Sequence, residues 1–141
     1  PPRRGGRIYA DITAALARFR LLPEQPCEYL WLVDHIARGS IKPVEGGFTW
    51  TFDPDLWAKL SYERRDPEHA AANLKCPLAF VRGAQSRLMQ SDTWDYMRGV
   101  FTASPFVSVP GAQHHLILDQ PLAVVGVLDA LIEGWAGHLG A

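Results

Sequence analysis

The chain has 141 residues, 48% of them hydrophobic and 21% charged, with a formal net charge of −1. That is a single-domain length with enough apolar material for a core, and the near-neutral balance excludes an electrostatic match to nucleic acid or to an anionic membrane surface. No apolar run approaches the length of a membrane span, and Cys27 and Cys76 stand far apart in no metal-like spacing, as expected of reduced thiols in a cytoplasmic protein.

The opening string "PPRRGGR" reads as a loop end, its prolines and glycines outweighing its arginines. No apolar stretch follows those arginines, so no signal peptide is expected. The chain starts on Pro1 rather than Met, as expected of a piece of a longer polypeptide. Asp11 is a plausible N-cap for a first helix, with Ile12, Ala15, Leu16 and Phe19 on one apolar face and Pro23 as the stop. A second helix is predicted over "EYLWLVDHIARG", closed by Gly39. Gly46-Gly47 marks a turn, and "FTWTF" alternates like a hairpin arm. Residues 53 to 69 read as short helical turns broken by Pro54 and Pro67. Asp34-His35 is too close in sequence to work as a dyad, and Arg64-Arg65 reads as solvated surface.

The character changes near residue 70. "CPLAFVRG" (76 to 83) and "PFVSVPG" (105 to 111) are short apolar runs of the kind buried on both faces of a parallel sheet. "SDTWDYMRGVF" between them is helical, with Trp94, Met97 and Phe101 on one face and Ser91 or Asp92 as cap. "DQPLAVVGVLDALIEGWAG" is a second helix, with Pro121 in its first turn and a stripe of Val124, Val127, Leu128, Leu131, Ile132 and Trp135. The order strand, helix, strand, helix predicts an α/β fold with a parallel sheet. The loops at 83 to 91 and 110 to 120 then leave the same sheet edge, where open α/β sheets bind ligands.

His114 and His115 lie in the second of those loops. Adjacent side chains diverge, so the pair is a poor chelate; His69 and His138 add no ligand-like spacing, and no metal site is expected. Position alone leaves two readings open. One is a loop histidine that packs or caps; the other is a general base that cycles near neutral pH.

"VPGAQHHLILDQP" resembles the C-terminal histidine loop of the α/β-hydrolase family. There a strand ends in a Pro-Gly-small motif, the catalytic histidine follows, and an acidic-Gln-Pro helix start comes after a few apolar residues. Counted back from Asp119-Gln120-Pro121, the family's histidine falls on His114, not His115. "CPLAFVRGAQSRLM" is similar to the family's penultimate strand and turn. The resemblance implies the C-terminal part of an α/β-hydrolase core over 71 to 141, and a helical cap over 1 to 70. It implies a serine hydrolase acting on an ester or similar small apolar substrate, with no cofactor. Under the cap, Trp31, Trp50, Trp57 and Phe48 either line an acyl or alcohol pocket or form the cap's own core.

Two departures from the family's pattern stand out. The nucleophile motif G-x-S-x-G does not occur in these 141 residues. The family's Gly-x-x-Asp after the penultimate strand is here "GAQS", with Ser86 at the acid position. Either the acid comes from outside this chain or the site is degenerate; Asp92 is a substitute by proximity or simply a helix cap. The chain is therefore expected to pair with the missing N-terminal half, or with itself. The alternative function is a non-catalytic module of the same fold that binds a ligand or partner.

Overall fold

Asp11 opens the first helix as the sequence predicts: its carboxylate accepts the N–H of Ala14 at 2.8 Å. A computed structural model describes residues 6–59 and 67–139, the side chains of 57, 67, 70, 71 and 137–139 excepted. Residues 1–5 of the start string and Arg64-Arg65 fall outside the described residues. The chain divides into two compact units, one of Pro1–Glu24 with Tyr29–Arg64, the other of Gln25–Glu28 with Arg65–Ala141.

In the first unit, α1 (Ile12–Leu16) is shorter than its apolar pattern. Arg18 and Phe19 donate to the carbonyls of Ala15 and Leu16, and these three-residue bonds tighten the helix end. α2 (Leu30–Gly39) is closed by Ser40 rather than by Gly39, the Ser40 hydroxyl donating to the Ile36 carbonyl at 2.8 Å. β1 (Ile41–Val44) and β2 (Gly47–Trp50) form the expected antiparallel hairpin. Phe48 exchanges both its backbone bonds with Tyr9, each 2.8 Å. Its N–H and C=O therefore point away from its cross-strand partner Pro43, so Pro43 has no ladder bond to lose. α3 (Leu56–Lys59) follows.

The second unit begins its continuous run with α4 (Pro67–Asn73). β3 (Phe80–Gly83) and β4 (Phe106–Val109) pair in parallel, Phe80 opposite Phe106 and Gly83 opposite Val109. α5 (Ser91–Val100) is the crossover between them. Both strands are shorter than their apolar runs; β4 is bounded by Pro105 and Pro110, neither of which offers an N–H to a ladder. Phe80 stacks on Phe106 at 4.7 Å between ring centres, and Trp94 meets Phe106 edge-on at 4.9 Å. Gln90, not Ser91 or Asp92, is the N-cap of α5, and it makes no side-chain capping bond.

After β4 the chain forms a short helix, α6 (Leu116–Asp119), then α7 (Pro121–Leu139). α7 buries Val124 and half-buries Val127, Leu131 and Trp135. The rest of its predicted stripe differs: Leu128 and Ile132 are exposed, because they lie round one flank of the helix with Val125 and Leu122. Among the described residues, no helix is long and apolar enough to cross a membrane.

Candidate active site

The loops after β3 and β4 leave the same end of the two-stranded sheet and are stitched together there. Ala84 N–H donates to Val109 O and Gln85 N–H to Ala112 O, both at 2.9 Å. Gly111 turns the chain with φ +72, a conformation side chains resist. Gly83 ends β3 against the backbone of that turn: a Cβ there would meet the carbonyl oxygen of Gln113 and, at 2.5 Å, that of Ala112. The two loops can thus approach closely only because position 83 has no side chain.

This approach brings Ser86 to His114. The hydroxyl of Ser86 lies 3.1 Å from His114 Nδ1 and accepts the Met89 N–H, also at 3.1 Å. Arg82 braces the same loop. It donates to Ser108 Oγ at 3.0 Å and to Met89 O at 3.3 Å, and its guanidinium sits 4.6 Å from the centre of the Trp94 ring. Ser86, where the resemblance led an acid to be expected, therefore touches the imidazole as a neutral hydroxyl. Asp92 lies in the first turn of α5, and no hydrogen bond joins it to His114.

The two histidines have different surroundings, although their rings meet edge-on at 5.3 Å. His115 Nε2 is sealed from solvent and has no hydrogen-bond partner among the described residues. His114 Nε2 also has no partner there, but it reaches solvent. Only His114 thus combines one ring nitrogen held by a neighbour with a second open to a reactant.

Beneath the loop is a buried polar cluster that the sequence pattern does not disclose. Asp119 is only 6% exposed. Its carboxylate accepts Gln113 N–H at 2.7 Å and Gln25 Nε2–H at 3.0 Å. Gln25 Oε1 accepts the His115 N–H at 2.8 Å. Cys27 lies beside the same groups, 3.7 Å from Gln25 Nε2. Burial pushes its thiol above the ordinary range; the Gln25 amide opposes the rise and the Asp119 carboxyl adds to it.

Of the aromatic candidates, Trp31 is 68% exposed on α2. Trp50 is half-buried in the first unit, where its ring meets Tyr9 and Phe19 at 6.0 and 6.1 Å and its Nε1–H donates to the Tyr9 hydroxyl at 3.3 Å. Phe48 is half-buried in the hairpin, and the Trp57 side chain lies outside the described residues. Asp34 pairs with Arg38 at 2.7 Å rather than with His35, and that bond holds its carboxyl below the usual range. Among the described residues no group of three or more His, Cys, Asp or Glu could hold a metal ion. An open groove of about 860 Å³ lies at the opposite strand ends, lined by Leu74, Cys76, Leu78, Tyr96, Val100 and Phe101, and includes none of the candidate residues.

No protein-family model matches the chain, and no curated protein matches it in sequence. Solved structures do match. E-2-(acetamidomethylene)succinate hydrolase superposes with a TM-score of 0.66 at 21% identity, over 93% of this chain and 48% of that one. The thioesterase domain from the curacin biosynthetic pathway gives 0.64 at 20% identity, over 87% of this chain and 43% of the other. The chain spans about half the length of the structures it matches.

Proposed function

Because the chain carries about half of an α/β-hydrolase fold, we propose that it is the histidine-bearing portion of a serine hydrolase, with His114 as its general base. The observation that carries this reading is the contrast between the two imidazoles: His114 is held through Nδ1 and open at Nε2, whereas His115 is closed in. In the proposed reaction a serine from another part of the fold attacks an acyl carbon. His114 Nε2 takes the serine proton and returns it to the leaving group, and water then releases the acyl group by the same relay. The matched hydrolase and thioesterase favour acyl transfer to water, and an ester or similar small apolar substrate is the proposed class. Among the described aromatic residues, Trp31 has the most surface free to meet such a substrate.

Ser86 supports a second reading, a binding module in which the histidine does no chemistry. A hydroxyl orients a ring but places no charge against an imidazolium. A fluorophosphonate probe separates the two. Purified material is labelled and analysed by intact mass for the modified polypeptide and for any second chain that copurifies. The hydrolase reading expects a labelled serine, labelling slowed about 100-fold or more by His114→Ala, and most of the rate kept by His115→Ala. Material that never labels, with or without a second chain, would favour the binding module.

A further inference from the structure

The segment Gln25–Glu28 belongs with the second unit, although the residues on both sides of it belong to the first. Within it, the Gln25 side chain meets the histidine loop at two points ninety or more residues along the chain. Its carbonyl oxygen takes the His115 N–H, and its amide N–H₂ goes to Asp119, which in turn takes the Gln113 N–H. The amide orientation is fixed by chemistry. Turned over, it would set an N–H₂ against the His115 N–H and an oxygen against the Asp119 carboxylate.

The two backbone groups so captured, Gln113 N–H and His115 N–H, lie immediately before and after His114. We infer that Gln25 is a positioning residue: it holds the His115 N–H directly and the Gln113 N–H through Asp119, so that the imidazole of His114 is presented in one place. Three features make the latch suited to that task. Asp119 is nearly fully buried, so the hydrogen bonds it accepts are not exchanged for water at low cost. The loop already lies against the backbone of Gly83, where even a Cβ would not fit. The third is reach along the chain: the latch joins positions ninety or more residues apart within one unit. That the latch serves catalysis rests on reading His114 as the base; that it holds the loop does not.

The test needs no substrate. Amide hydrogen exchange is followed by NMR in the expressed chain, with any copurifying partner retained, for wild type, Gln25→Ala and Gln25→Glu. Exchange at Gln113 and His115 is compared with that of Val107 in β4 as an internal reference. Gln25→Ala is expected to speed exchange at His115 about tenfold, the weight of one net hydrogen bond, and to leave Val107 unchanged. Gln25→Glu keeps the shape but faces Asp119 with a second carboxylate; Cys27, His114 and His115 are the other titratable groups around it. At neutral pH it should behave like Gln25→Ala. On acidification, one shared proton restores a donor between the two carboxyls, and protection at His115 should return in Gln25→Glu but not in Gln25→Ala. Each rate is taken relative to wild type at the same pH, so the loop histidines and Cys27, present in every variant, cancel.

Unchanged exchange at His115 in both variants would overturn the inference. So would an equal rise at His115 and Val107, which would make Gln25 a contributor to overall stability only. Failure of the fluorophosphonate experiment with a positive result here would remove the hydrolase reading and leave the latch standing.

Discussion

At the scale of single residues, the question is what Ser86 does for His114. The Oγ already accepts the Met89 N–H, and its remaining lone pair and its proton both face choices set by the imidazole. With the ring proton on Nδ1, the hydroxyl accepts it and Nε2 keeps the lone pair that a base requires. With the proton on Nε2, the hydroxyl donates and that lone pair is lost. A serine permits both tautomers, whereas a carboxylate can only accept and so enforces the first. Ser86→Asp should therefore drive His114 almost wholly to the Nδ1–H tautomer. Nitrogen-15 shifts of the imidazole should show the parent chain as a mixture and the variant as one form. The same mixture in both would mean that this neighbour does not govern the ring, and that the charge at this site must come from elsewhere.

At the scale of elements, the decisive meeting is β3 with the histidine loop. Gly83 makes it possible, and a methyl group there runs into backbone carbonyls rather than a flexible side chain. Gly83→Ala should cost about 1–3 kcal/mol, as overpacking does. It should also lengthen the contact between Ser86 and His114; thermal unfolding and the His114 ring shifts report the two effects separately, and an unchanged melting temperature would show that the loop can give way. The sequence pattern led to this meeting point by one route and missed it by another. Alternation, apolar runs and glycines disclosed both strands, the crossover helix and the shared loop edge, since each is written in neighbouring residues. The trimmed strand ends, the early end of α1 and the single turn of α6 depended on where N–H groups found partners, which composition does not record. Ser86 read as a missing acid, and only the folded loop shows that its hydroxyl reaches the ring. Gln25 could not have been found from pattern at all, because its partners stand ninety or more positions away and no periodicity connects them. Asp119 was visible as part of a helix start, but its inward direction follows from the break at Gln120 between α6 and α7.

At the scale of the whole molecule, the second unit leaves sheet edges and an apolar helix flank uncovered among the described residues. The parallel sheet of the second unit has two strands among the described residues, and a two-stranded sheet leaves an edge on each side. α7 adds a flank on which Leu122 is 84% exposed, and Val125, Leu128 and Ile132 each about half. Covering the exposed half of such a side chain is worth about 1 kcal/mol, so this flank alone offers several kcal/mol to whatever docks on it. The matched structures are about twice as long as this chain, and the occupant proposed for this flank is the remainder of such a fold. In its absence the chain should pair with itself. Light scattering during size exclusion should then give a mass above 15.7 kDa that falls on dilution. Placing lysines at Val125 and Ile132 should return it towards the monomer, because two charges cannot be buried in that contact without partners. Coexpression with a polypeptide that completes the sheet should have the same effect on self-association, while the lysine variant should lose that partner as well. A chain that stays monomeric at every concentration, with both lysines indifferent, would mean that the flank is simply solvated, and the pairing proposed for this half-fold would have to rest on the strand edges alone.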